Sequence, residues 1–305
     1  MKKLLTLTLS LILALSLTAC GSSSSSTEEN TGSAGEIADV STAADTEEDV
    51  SGTDEEASTE TVVLKVAASP TPHAEILTSD LVTELLAEQG IVLEVTEYSD
   101  YVVPNTSVDE GENDCNYFQH TPYLETFNEE NGTNLVSVGS IHYEPFGMYS
   151  ETLTSVDDIA EGATIAIPND GSNEARALYL LQDLGLITLS GDAFNSNATV
   201  LDIEDNPLNL QFEELEAAMV ARALDDVDAA IVNGNYALEA DLDISTAIAT
   251  EAADSEAAQT YANIIATTED NADNEAILTL VDVLKSEEVQ QWIEETFDGA
   301  VLPVD

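Results

Sequence analysis

The chain has 305 residues, of which 61 are acidic and 6 basic, giving a formal net charge of −55. With no basic patch, it is unsuited to nucleic acid or to anionic membrane surfaces. A hydrophobic content of 43% still supplies a core, so the acid belongs to the surface and to polar segments, not to a wholly disordered chain.

The amino terminus predicts a compartment. Lys2 and Lys3 precede an apolar stretch, Leu4 to Leu17, which is short for a membrane span and suited to a signal peptide. It ends Leu17-Thr18-Ala19-Cys20-Gly21, which resembles a bacterial lipobox. That pattern predicts cleavage before Cys20 and lipidation of its sulfur; the alternative is an ordinary secretory signal with an incidental cysteine. Residues 21–60 contain Ser22-Ser23-Ser24-Ser25-Ser26, many Thr, Asp and Glu, and no Lys, Arg or aromatic residue. Such a segment cannot bury enough apolar area to offset its ordering entropy, so it is expected to be a flexible tether. Once the signal is removed, 61 acidic residues face 4 basic ones, about −57. A surface like this suits high ionic strength, or an acidic exterior at low salt. Screening should relieve self-repulsion, so the melting temperature is expected to rise from low to molar NaCl. A flat response would show that the acids are spaced harmlessly.

Residues 61–305 read as an α/β domain. Val62–Ala67 is an expected strand, Pro72–Ala87 a helix and Ile91–Val95 the next strand, a βαβ opening. The run Asn116-Tyr117-Phe118-Gln119-His120-Thr121-Pro122-Tyr123 follows, dense in rings for a chain only 5% aromatic. It predicts a strand end or loop and then a helix starting at the proline. The rings form either a local core cluster or an aromatic wall around a small ligand. Cys115 beside them is expected to be a small buried apolar residue, not a nucleophile. A second α/β set is expected at about 150–258. It holds the strand Thr164–Ile167, a turn at 168–173, a helix whose first turn carries Arg176, and the strand Ala229–Val232 ending at Asn233. The strand Asn263–Ala266 and helices Asn274–Lys285 and Glu287–Phe297 complete the chain. The size fits two lobes, one of about 61–145 plus 262–305 and one of about 150–258.

Scarcity makes each cation informative. Past the signal there are Lys65, Arg176, Arg222 and Lys285. Arg222, just before Leu224-Asp225-Asp226, is expected to form a structural ion pair with a nearby acid. Arg176, among free N–H groups at a helix start, is suited to an anion. It is either a structural salt bridge or a bidentate clamp on a carboxylate.

Several segments in order carry a family resemblance: Pro72-His73-Ala74-Glu75-Ile76-Leu77; Asp100-Tyr101-Val102-Val103-Pro104-Asn105; Phe118-Gln119-His120-Thr121-Pro122-Tyr123-Leu124; Ile167-Pro168-Asn169-Asp170 with Asn173 and Arg176; Leu184-Gly185-Leu186-Ile187; Glu204-Asp205-Asn206-Pro207; and Asn233-Gly234-Asn235-Tyr236. From about Leu64 to about Gly299 the chain resembles the methionine-binding lipoproteins of ABC importers, the MetQ or NlpA family. The resemblance implies a two-lobed periplasmic-binding-protein-like fold with hinge crossover strands and a ligand cleft. It implies that Tyr101, Phe118, His120 and Tyr123 line a side-chain slot and that Arg176 holds an α-carboxylate. It further implies that Asn173, Asn233 and Asn263 bond the polar end of an amino acid. The implied partners are a membrane permease and its ATPase, with no cofactor and no catalysis by this chain. The ligand is methionine, of L and possibly D hand, or for some family members a methionine-containing dipeptide or another small amino acid.

Other classes find less support. A metal-binding lipoprotein using His73, His120 and His142 would need them gathered, and their spacings are wide with no His-rich loop; no metal site is expected. A hydrolase lacks a Gly-x-Ser-x-Gly elbow, and no Gly-x-x-x-x-Gly-Lys-Ser/Thr loop is present for ATP.

Overall fold

Val62 and Val63 are exposed, whereas Leu64, Val66, Ala67 and Ala68 of the same strand, β1 (Val62–Ala68), are buried, because the strand runs from the rim of a sheet into its covered interior. The computed structural model describes residues 61–191, 197–252 and 260–304. The signal, tether and Cys20 expectations lie outside the described residues.

After β1 come α1 (Glu75–Thr78), α2 (Asp80–Glu88) and β2 (Ile91–Glu97), which pairs parallel with β1. The single helix expected over Pro72–Ala87 is broken at Ser79. Its backbone is extended and its hydroxyl accepts the Val82 N–H, so it caps a new helix instead of continuing the old one. Then follow α3 (Val103–Asp109), β3 (Cys115–His120), α4 (Thr121–Asn131) and β4 (Leu135–Tyr143). The chain next builds a second lobe. Its parts are β5 (Gly147–Tyr149), β6 (Thr164–Pro168), α5 (Gly171–Asp183), the small antiparallel pair β7 (Thr188–Leu189) and β8 (Ile203–Asp205), β9 (Gln211–Leu215), α6 (Ala217–Val220), β10 (Ala229–Val232), α7 (Gly234–Glu239) and β11 (Ala249–Thr250). It returns as β12 (Asn263–Thr268), α8 (Glu275–Leu284), α9 (Glu287–Phe297) and β13 (Leu302–Pro303).

The sheets have strand orders β13-β4-β12-β3-β1-β2 and β11-β5-β10-β6-β9. Each is the floor of one lobe of an α/β fold, and the chain passes from one sheet to the other after Tyr143 and back before Asn263. Each lobe has its own core. In the first, α8 lays Ile277, Leu280, Val281 and Leu284 against Leu64, Ile76, Leu77 and Ile141, an i, i+3, i+4, i+7 stripe. In the second, Leu178 and Leu181 of α5 pack with Met148, Ile165, Ile167 and Ile231.

Two charged residues sit differently from expectation. Asp170 caps α5 by accepting the Asn173 N–H, so the stretch expected to be a turn is the first helical turn. Arg176 therefore lies in the second turn, beyond the free N–H groups, and the helix end gives it no anion site. Arg222 lies in a short 3-10 turn, is exposed, and has no ion pair within 4.0 Å among the described residues. Its neighbours Asp225 and Asp226 are exposed too, where water competes successfully for both charges.

Candidate ligand-binding site

Strand ends and register assemble one cavity. β3 runs antiparallel to β12, with His120 opposite Asn263, and β12 lies against β4, with Asn263 opposite His142. Three adjacent strands thus bring His120, Asn263 and His142 side by side. From the other lobe, the turn after β6 delivers Asn173 and Arg176 on α5, and the end of β10 delivers Asn233. Apart from Asn263, which opens β12, these positions lie at or just beyond strand carboxyl ends, where open α/β sheets leave room for ligands. All eight expected residues, Tyr101, Phe118, His120, Tyr123, Asn173, Arg176, Asn233 and Asn263, line one nearly closed cavity of about 20 Å³. That is room for about one water, so the side chains close tightly on one another.

One side of the cavity is aromatic. The Tyr101 ring lies 5.7 Å from Phe118 and 5.5 Å from Tyr123, and Tyr236 stacks behind it at 4.9 Å. Hydrogen bonds fix these rings. The Tyr101 hydroxyl donates to Asn235 at 2.5 Å, and the Tyr123 hydroxyl donates to the Tyr101 carbonyl at 3.0 Å. Beneath them the β3 side chains Asn116 and Gln119 close an amide network with Asn105. A strand interior full of polar groups is tolerable because each finds a partner.

The other side is polar and ordered. Tyr123 donates its N–H to His120 Nδ1, so the ring proton sits on Nε2, which donates to Asn173 Oδ1 at 3.1 Å. Burial, reinforced by Arg176, pushes the His120 pKa down to about 3, keeping the ring neutral. Asn233 Nδ2 donates to the same Asn173 oxygen at 3.0 Å, while the Asn173 amide group donates to Asp170. Asn233 Oδ1 is buried without a hydrogen-bond partner among the described residues.

Arg176 is buried, and its fork is engaged. Nε and Nη2 donate to Glu251 at 2.9 and 2.6 Å, and Nη2 also donates to the Glu144 carbonyl at 2.8 Å. The guanidinium lies 3.9 Å from the Phe146 ring centre and 4.4 Å from that of Tyr261. Burial opposes both charges of this pair. Their attraction outweighs it, holding the Glu251 pKa below and the Arg176 pKa above their ordinary values.

Glu144 is the lining residue that sequence reasoning missed. It is 5% exposed, and its Oε1 lies 2.8 Å from His142 Nε2 and 3.4 Å from His73 Nε2. His73 Nε2 also contacts Asn263 Oδ1 at 3.0 Å, and Tyr117 bonds His142 Nδ1. The histidines expected to be unrelated are therefore two neighbours, His73 and His142, with His120 in a separate role. Burial lowers their pKa values to about 4 for His73 and about 3 for His142. It raises that of Glu144, against the pull of His73 and Arg176. His142 lies in β4 and Glu144 just beyond its end, and the i, i+2 spacing brings their side chains together, a signal visible in sequence. Cys115, as expected, is buried, and burial drives its thiol pKa up.

Residues 64–305 match the model of the NlpA lipoprotein family. The methionine-binding lipoprotein MetQ of Bacillus subtilis is 42% identical over 243 residues, covering 78% of this chain and 87% of that protein. A lipoprotein crystal structure from Ruminococcus gnavus is 56% identical with a TM-score of 0.77, over 80% of this chain and 99% of the other. A nutrient-binding protein of Burkholderia cenocepacia, solved bound to methionine, is 41% identical with a TM-score of 0.74, over 79% and 100%. Sequence match and two-lobed fold agree over almost the whole described domain: this chain belongs to the NlpA lipoprotein family.

Proposed function

We propose that this chain is the extracytoplasmic substrate-binding lipoprotein of an ABC importer, anchored through lipidated Cys20, that binds methionine and hands it to a membrane permease driven by a separate ATPase. The observation that carries this is the two-sided cavity: aromatic rings face a polar wall of Asn173, Arg176, Asn233 and Asn263. A thioether packs well on ring edges, and a zwitterion has no net charge for the acidic surface to repel. The related protein solved with methionine supports the same ligand. In this proposal the rings Tyr101, Phe118 and Tyr123, with His120, hold the side chain, and the amides and Arg176 meet the carboxylate end. The lobes close over the ligand by hinge motion, and the chain does no catalysis.

A second ligand class has a specific observation in its favour. A wider space of about 290 Å³ opens beside the cavity and shares Tyr101 and Tyr123 with it, which would admit a methionine-containing dipeptide. A thermal-shift screen of the twenty L-amino acids, D-methionine and Gly-Met tests both. L-methionine should give the largest shift among the amino acids, about 2.7 kcal/mol of stabilisation at a hundred times Kd. A larger shift with Gly-Met would assign the dipeptide, and no shift with either would end the methionine assignment.

A further inference from the structure

Two tyrosines, one from each lobe, hydrogen-bond across the cleft in opposite directions. Tyr101 Oη donates to Asn235 Oδ1 at 2.5 Å, and Tyr236 Oη donates to the Ser99 carbonyl at 3.1 Å. Ser99 and Tyr101 belong to the segment after β2, in the first lobe, whereas Asn235 and Tyr236 stand in α7, after β10 of the second. Between the two bonds the rings of Tyr101 and Tyr236 lie 4.9 Å apart with their planes tilted by 30°. The apolar packing is reciprocal as well. Tyr101 packs against the second-lobe cluster that contains Val232 and Tyr236, and Leu238 of α7 packs against the core of the first lobe. Gly234 opens α7 so near Glu144 that an added Cβ would stand 2.5 Å from the Glu144 Cβ, an approach that only glycine allows.

These contacts join protein to protein, and part of them lies away from the ligand. Tyr101 and Asn235 line the cavity of about 20 Å³, whereas Ser99, Tyr236 and Leu238 do not. Tyr236 is buried and instead lines the wider space of about 290 Å³, a wall it shares with Tyr101. The ring pair thus stands between the cavity and the wider space outside it. A cavity with room for about one water exchanges an amino acid only when its walls part. Parting the lobes breaks both hydrogen bonds and the ring stack, each of which has a cost.

We propose that Tyr236 and Leu238 are positioning residues of a clasp that holds the two lobes shut and sets how long a bound ligand stays, although neither residue lines its cavity. The inference rests on the reading of this cavity as a ligand site between hinged lobes, and it assigns the strength of closure to residues outside the cavity. Because the clasp contains no ligand atom, it favours the closed form by the same amount whatever the cavity holds. Its loss should therefore speed the dissociation of every ligand by one common factor. Association takes place on the parted lobes, so weakening the clasp should not slow it.

Hydrogen exchange on the full chain without ligand tests the clasp itself. Tyr236→Phe removes one hydroxyl and keeps the ring, and Leu238→Ala removes packing on the opposite lobe. Each variant should speed exchange in residues 98–103, where nothing has been substituted, as well as in α7, while β1 and β6 keep their protection. Exchange that changes in α7 alone, or nowhere, overturns the clasp. Stopped-flow kinetics with L-methionine and L-ethionine then test its effect on residence. In either variant both ligands should dissociate about fivefold faster, the scale of one net hydrogen bond or of a few half-buried methylenes. Association rates should stay within about twofold of the parent or rise. A variant that merely folds less well would give a smaller binding amplitude at an unchanged dissociation rate, and that result overturns the proposal. So does an acceleration that differs more than about twofold between the two ligands, because it would mean contact with the ligand side chain. A parent that binds neither compound ends the methionine assignment, and the exchange result still decides the clasp.

Discussion

Arg176→Ala is expected to lose about 3–5 kcal/mol of stability and, in the fraction that folds, methionine affinity by on the order of a hundredfold or more. The stability loss follows from Glu251. Its carboxylate would remain buried, facing Tyr143 Oη at 2.6 Å and the Phe146 N–H at 2.9 Å but no cation. Two hydrogen bonds cannot replace the paired charge, so the folded state bears the desolvation cost alone. The binding loss follows from the position of Arg176 on the cavity wall. A double variant, Arg176→Met with Glu251→Gln, separates the effects. Glutamine still accepts from Tyr143 and Phe146 and carries no charge, so at least half of the lost stability should return in urea denaturation. Methionine binding should not return. Arg176→Lys should recover only part of either property, because an ammonium lacks the planar fork that meets Glu251 at two points. Exposed Arg222 is the control, and Arg222→Ala should change stability by less than about 0.5 kcal/mol and leave affinity intact. A double variant that binds methionine like the parent would make Arg176 purely structural. An Arg176→Ala protein as stable as the parent would show that the pair does not hold the lobe.

Acidification from pH 7 to pH 5 is expected to destabilise the fold through its three buried imidazoles. A histidine whose pKa falls on folding takes up its proton only in the unfolded chain over the window between its two values. For His73 that window runs from about 6.5 down to about 4, and for His120 and His142 down to about 3. Within it the unfolded state binds more protons, so stability falls as pH falls, and the loss levels off below the folded values. Glu144 and Asp170 act in the opposite sense, because burial raises their pKa values and lets the folded state hold protons that the unfolded state gives up. The net slope is the difference, and a single variant isolates one contributor. His120→Gln removes one titrating ring, so its curve of unfolding free energy against pH should be flatter by up to one proton, about 1.4 kcal/mol per pH unit between pH 4 and 6. Parallel curves for parent and variant would show that His120 is not a buried neutral group.

Much of this molecule is written locally. The strand β1, the βαβ opening, the strand Ala229–Val232 and the two carboxy-terminal helices follow from apolar periodicity and cap residues, which act over a few neighbours. So do the residues of the cavity wall, because Tyr101, the Phe118–Tyr123 run, Asn173, Arg176 and Asn233 stand in segments that resemble one family in order and spacing. What failed locally failed at caps. Ser79 divides a stripe that reads as one helix, and Asp170 draws a turn into α5, since one side-chain oxygen accepting one N–H decides where a helix begins. Charge partners were decided by tertiary structure alone. Arg176 and Glu251 are 75 residues apart, and His73 and Asn263 are 190 apart, yet each pair is in hydrogen-bond contact. No periodicity encodes such a meeting; it arises from the antiparallel return of β12 between β3 and β4 and, for Arg176, from the place of β11 beside β5 in the second sheet. Composition alone determined that cations are scarce and therefore informative. Only the fold decided that the most informative of them already has a buried carboxylate in its fork, and that Glu144, two residues from His142, joins the cavity wall.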